Sequence, residues 1–208
     1  MTPIKQHKSQ TSSDGFALLL SIITIGVVLS VTLTTMSLAI KQGQLSADSR
    51  DSELSFHAAS AGLECIRHWR REESDRFEDG DDVPIECFGV SGVNAEQANS
   101  YTQSSSAADV DGPGTVHFYE YQISWGAGSA DRCSEMKFLV FNTDLSQGDS
   151  LTLRNIPENF IAGYPGEDGE KECEAGGLCT VFSSRGYSAP CADSFPIGTI
   201  QRDIFVEF

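Results

Sequence analysis

The chain has 208 residues, with 30 acids against 14 bases and a formal charge of −16. A surface this acidic repels phosphate backbones and anionic lipid headgroups, so no nucleic-acid partner is expected. The length suits one domain plus an anchor.

Residues 1–15, MTPIKQHKSQTSSDG, form a short polar leader that carries Lys5, His7 and Lys8. Residues 16–40 then run for 25 residues without a charge, between Asp14 and Lys41. As a helix this stretch measures about 37 Å, enough to cross a hydrocarbon core of about 30 Å with some tilt. A cleaved secretory signal has a shorter apolar core, about 7–15 residues, followed by a small-residue cleavage site. Ser37-Leu38-Ala39 is a poor version of such a site, so a soluble secreted product is the competing reading. Lys5 and Lys8 favour a cytoplasmic N-terminus. The expected location is the cytoplasmic membrane, crossed once, with the C-terminal domain extracytoplasmic or at the cell surface.

Within the span, Gly26, Ser30, Thr34 and Ser37 fall at steps of four, four and three. Such small-residue ridges let helices approach closely in lipid. In a lone helix the hydroxyls would instead bond to carbonyls one turn back.

Residues 41–78 read as an amphipathic continuation of the same helix. Leu45, Leu54, Ala58, Ala61, Cys65 and Trp69 recur mostly at spacings of three or four, beside a second stripe of Phe56, Ala59, Leu63 and Ile66. Gly43 is the weak point where the helix would bend. Arg67, Arg70 and Arg71 make a basic cluster next to Trp69, expected to pair with the acids that follow at i+3 or i+4.

Residues 79–208 read as a β-rich extracytoplasmic domain. Pro84 excludes helix near its start, and strands are expected near 84–88, 115–125, 134–142, 151–153, 178–183 and 199–208. Residues 92–114 and 157–177 read as two long polar loops. Before residue 41 the only acid is Asp14 and the only bases are Lys5 and Lys8, which leaves 29 acids and 12 bases beyond it, a net of −17.

All six cysteines follow the span, as expected of disulfides in an oxidising compartment. Spacing argues against zinc, since there is no CxxC. Fifteen connectivities are open. One that suits the elements joins Cys65 to Cys87, Cys133 to Cys191 and Cys173 to Cys179.

Asp109 and Asp111 precede a glycine turn and are weak candidates for Ca2+. Two carboxylates fall short of the six to eight oxygens the ion takes, and solvated acidic turns are the simpler reading. Glu78, Asp79, Asp81 and Asp82 form a second acidic cluster, and Glu167, Asp168 and Glu170 a third. No GxSxG, HExxH or P-loop is present, and His57, His68 and His117 read as surface or structural groups. Neither an enzyme nor a small-molecule substrate is expected.

A leader ending in glycine, then phenylalanine, then a membrane-length helix that runs into an amphipathic helix and a β-rich domain resembles a type IV pilin or pseudopilin. FHAASAGLE, residues 56–64, resembles a stretch of minor pilins and tip-type pseudopilins. The resemblance covers residues 1–75. It implies cleavage between Gly15 and Phe16 by a prepilin peptidase, N-methylation of Phe16, and membrane lipid and other pilin-like subunits as partners. It also implies an α+β fold, a long N-terminal helix packed on a small antiparallel sheet. Three features depart from the pattern. Leu20 stands at the fifth mature position, where major subunits carry a glutamate, and subunits at a filament tip resemble this chain in lacking it. Asp14 precedes the glycine, and the cysteines are scattered. The expected function is that of a structural minor subunit of a type IV pilus-like or type II secretion-like filament, at or near its tip. The alternative is a single-pass surface protein or adhesin outside any filament.

Overall fold

The computed structural model describes residues 14–103, 109–126, 131–143, 148–165, 169–192 and 194–208. The fold is α+β. The chain divides into two units, Met1–Ala47 and Asp48–Phe208.

Helix α1 spans Asp14–Glu72 and is continuous through Gly43. In the first unit its apolar side chains are all exposed, from Phe16 to Ile40. By length and composition this segment could cross a membrane.

In the second unit one stripe of α1 is buried. Ser55, Ala58, Ala59, Gly62, Leu63 and Ile66 form it, at steps of three, one, three, one and three. The sequence placed Leu45 and Phe56 on the apolar stripes. They are 70% and 50% exposed. At 100° per residue Phe56 falls outside the buried arc, and the small polar Ser55 fills the place beside it. Helix α2, Ser74–Asp79, follows as a separate turn rather than as part of the long helix. Gly80 ends it in the left-handed region at φ 84°, where its N–H returns to the Arg76 carbonyl.

The main sheet is antiparallel with five strands. From one edge to the other they are β10 (Gln201–Glu207), β9 (Leu178–Tyr187), β6 (Arg132–Thr143), β5 (Gly114–Trp125) and β3 (Gln97–Tyr101). The central strand β6 is covered on both faces, which explains its nearly unbroken apolar run Met136–Phe141. Met136, Phe138 and Val140 face Leu63 and Ile66 of α1 and Phe77 of α2. Leu139 and Phe141 face the opposite way, against Leu151, Leu153 and Ile156. Those three belong to β7 (Leu151–Arg154) and α3 (Ile156–Asn159). A three-stranded sheet, β4 (Asp109–Asp111), β7 and β8 (Lys171–Cys173), thus closes the second core.

Two expected loops hold structure. Residues 92–114 contain β3 and β4, and residues 157–177 contain β8 and most of α3. A further hairpin joins β1 (Ile85–Cys87) to β2 (Val90–Val93). Its two-residue turn puts both Phe88 (φ 57°) and Gly89 (φ 78°) at positive φ, the pattern of a type I′ turn.

Candidate functional site

Gly15 and Phe16 lie in the first turns of α1, with Phe16 71% exposed. Gly26, Ser30, Thr34 and Ser37 all lie on the exposed part of the helix. A Cβ built at Gly26 would meet no atom within 4 Å. The Thr34 hydroxyl donates to the Ser30 carbonyl at 2.8 Å. Leu20 is likewise exposed.

The FHAASAGLE stretch divides by function. Ala58, Ala59 and Gly62 form the contact with the sheet, whereas Phe56, His57 and Glu64 are exposed. The approach is close enough to exclude side chains. A Cβ at Gly186 of β9 would stand 2.0 Å from the Ser55 carbonyl oxygen and 2.3 Å from the Ala59 nitrogen. A Cβ at Gly62 would meet Ser184 Oγ at 2.7 Å and Ser134 Cβ at 3.1 Å. The Arg202 guanidinium on β10 donates to Ser52 Oγ at 2.6 Å, holding the helix from the side. Sequence reasoning missed Ser55, Ser134 and Gly186 here. None of them registers as apolar, and two lie far along the chain from the helix they meet.

The six sulfurs meet as Cys65–Cys87, Cys133–Cys191 and Cys173–Cys179. The first ties α1 to β1, where the Trp69 indole also donates to the Glu86 carbonyl at 2.9 Å. The second ties β6 to the segment before β10. The third closes the turn between β8 and β9.

Asp109 and Asp111 lie on the exposed face of β4. Asp109 accepts from the Asn155 side chain. Asp111 lies 3.5 Å from Arg154, which also meets Glu170 at 3.0 Å. Among the described residues no group of three or more His, Cys, Asp or Glu side chains is placed to hold a metal. Glu167 and Asp168 lie outside the described residues.

The basic cluster pairs differently from expectation. Arg67 turns back to Glu64 at 3.0 Å. Arg70 reaches Glu78 of α2 at 2.7 Å, because the interruption of the helix at Glu73 brings that turn alongside. Arg71 has no partner among the described residues. All three line a cleft with Thr180, Phe182 and Phe208, of about 230 Å3.

On the face of the main sheet away from α1, charges alternate across the strands. Lys137 Nζ lies 2.9 Å from Glu120 and 3.0 Å from Glu135. Arg185 lies 2.9 Å from Asp203 and 3.8 Å from Glu135. The Tyr187 hydroxyl donates to Glu135 at 2.8 Å. Burial alone would raise the Glu135 carboxyl. The hydrogen bonds from Lys137 and Tyr187, with the Lys137 and Arg185 charges, together outweigh it and hold the group below the ordinary carboxylate range. Burial also pushes the His117 imidazole down, against the opposing pull of the Glu78 backbone and the Asp79 charge. Its Nδ1 lies 2.7 Å from Ser100 Oγ.

No family model, no curated protein and no solved structure matches the chain.

Proposed function

We propose that the chain is a membrane-anchored structural subunit of an extracytoplasmic filament, a minor pilin or pseudopilin acting at or near the tip. The observation that carries this reading is the division of labour along α1. Residues 16–40 present an unpartnered apolar surface, and residues 55–66 bury a small-residue stripe on an antiparallel sheet. An apolar rod with no partner of its own among the described residues suits both lipid and the rods of neighbouring subunits. Gly15–Phe16 supplies a processing junction, and Leu20 removes the acid that a subunit stacked beneath another would use. An unpaired charge at that depth is costly, so its absence suits a position with no subunit above. Lys5 and Lys8 orient the anchor with its N-terminus in the cytoplasm.

The reading is tested by mass spectrometry of the chain purified from membranes of cells with and without a prepilin peptidase. The expected product begins at a methylated Phe16 only when the peptidase is present. A chain that keeps Met1 in both cells overturns the filament reading and leaves a plain single-pass surface protein.

A further inference from the structure

The cleft at the end of α1 stands apart from the filament reading, since none of its residues belongs to the anchor or to the docking stripe. Arg70 and Arg71 lie about one helical turn beyond Arg67, and the three form its rim. Phe182 of β9 and Phe208, just past β10, form an apolar floor, their rings edge to face at 6.0 Å. Phe208 is 58% exposed, and the Arg67 guanidinium carbon lies 5.0 Å from its ring centre.

Among the described residues, three guanidiniums here meet two side-chain carboxylates. Glu64 takes Arg67, and Glu78 takes Arg70. Arg71 is left over. In addition, Arg70 Nε is buried with no hydrogen-bond partner. A buried N–H in that state costs free energy until an acceptor reaches it. The cleft therefore carries a surplus of donors and positive charge in a domain whose net charge is −17.

That contrast selects the occupant. A long polyanion would meet the repulsion of the whole domain, whereas one carboxylate meets only the local guanidiniums. A volume of about 230 Å3 is below the roughly 300–1,000 Å3 of pockets that enclose a small molecule. It holds one or two side chains of something larger. We propose that this cleft docks an acidic peptide segment of a partner protein. One carboxylate lies against Arg67 and Arg71, and its apolar neighbour lies on Phe182 and Phe208. Arginine suits this role because its planar fork gives two parallel hydrogen bonds to a carboxylate and its face stacks on aromatic rings.

The test uses the full chain in nonionic detergent and a fluorescent peptide, acetyl-Gly-Phe-Asp-Phe-Gly-amide, followed by anisotropy. Its Asn counterpart and 3-phenylpropionate serve as competitors. Saturable binding is expected, about tenfold weaker for the Asn peptide and about tenfold weaker for R71M, the loss of one charge-assisted contact. Arg71 has no partner to lose, so R71M leaves the fold intact, and R154M, on the far sheet, binds as the parent does. Binding should also weaken several-fold when salt is raised from about 0.05 to about 0.5 M. Equal binding of the Asp and Asn peptides, or of parent and R71M, overturns the proposal. So does the absence of saturation up to about 10 mM peptide, where affinity has fallen to the weakest specific range. If 3-phenylpropionate competes as well as the peptide does, the site takes free small acids instead. If oligothymidylate binds in an Arg71-dependent way while the peptide does not, the partner is a nucleic acid. Either result also overturns the peptide assignment.

Discussion

The hydroxyl of Ser134, on the central strand, donates to the carbonyl of Ala58, in the middle of α1, at 2.8 Å. The same oxygen accepts the Trp125 indole N–H at 2.9 Å. One buried serine therefore joins helix, central strand and neighbouring strand. Ser134→Ala leaves the indole N–H without its acceptor and should cost about 1–2 kcal/mol. Urea unfolding of the full chain in detergent measures it, and Trp125→Phe in the same background should recover part of the loss.

Gly186 and Gly62 carry the close approach of helix to sheet, and they should respond unequally to a methyl group. At Gly186 the added atom meets backbone on the helix, which cannot move alone, so Gly186→Ala should cost about 3 kcal/mol. At Gly62 the nearest atom is the Ser184 hydroxyl, which can turn away. Ser134 Cβ at 3.1 Å and Met136 Cγ at 3.2 Å need give only a few tenths of an ångström, and alanine improves helix propensity by about 1 kcal/mol. The net loss there should be the smaller. Gly43→Ala, with nothing within 4 Å, should be neutral or stabilising. Thermal melts of the three variants check the order.

The disulfides should differ in worth according to the chain they enclose. Cys133–Cys191 spans 58 residues, Cys65–Cys87 spans 22 and Cys173–Cys179 only 6. Loop-closure entropy then predicts losses of about 4, 3 and 2 kcal/mol on replacing each pair by serine. Unfolding midpoints of the three double variants should fall in that order, and a reversed order would show that native-state contacts dominate.

His117 should make the domain sensitive to mild acid. Its folded pKa lies below the unfolded value of 6.5, so the unfolded chain binds the proton more readily. Its contribution is complete above pH 6.5 and is lost as the pH falls from there towards the folded value. The groups facing it are Ser100, the Glu78 backbone and the Asp79 carboxylate. His117→Gln should flatten the slope of stability against pH between about 5 and 7, as followed by unfolding at several pH values.

Glu135 should act at lower pH and in the same direction. Its folded pKa is depressed, so its contribution is present above the ordinary carboxylate value of 4.5 and is lost as the pH falls through the folded value. Glu135→Gln keeps the shape but weakens the bonds to Lys137 and Tyr187. It should cost about 2 kcal/mol at neutral pH and much less near pH 3.

Where the chemistry is local, the sequence was easy to read. A run of 25 uncharged residues states a membrane-length helix, and aromatic or β-branched residues dense in 115–125 and 134–142 state two long strands, found as Gly114–Trp125 and Arg132–Thr143. Strand β3, Gln97-Ala-Asn-Ser-Tyr101, reads as loop because its residues are mostly small and polar, and almost none of it is buried. It is a strand only because β5 offers it an edge from Val116 to Glu120. The cleft was hidden for a related reason. Arg67, Arg70 and Arg71 are neighbours in the chain, but Phe182 and Phe208 reach them only through the sheet. The expected arginine pairing failed at Arg70 because α2 folds Glu78 back beside it, eight residues on, beyond the reach of helical spacing.

The bond between Cys65 and Cys87 also sets how the domain bears tension. A pull on the N-terminal end of α1 peels the helix from the strands one turn at a time, through Ser55, Ala59 and Gly62. At Cys65 the peeling meets a covalent stop, and the load passes to β1 and its hairpin instead of unravelling the helix further. Cys133–Cys191 likewise ties the segment before the last strand to the central strand. Oxidised, the stretches enclosed by Cys65–Cys87 and Cys133–Cys191 cannot be drawn out under force. Reduced, it has no such limit.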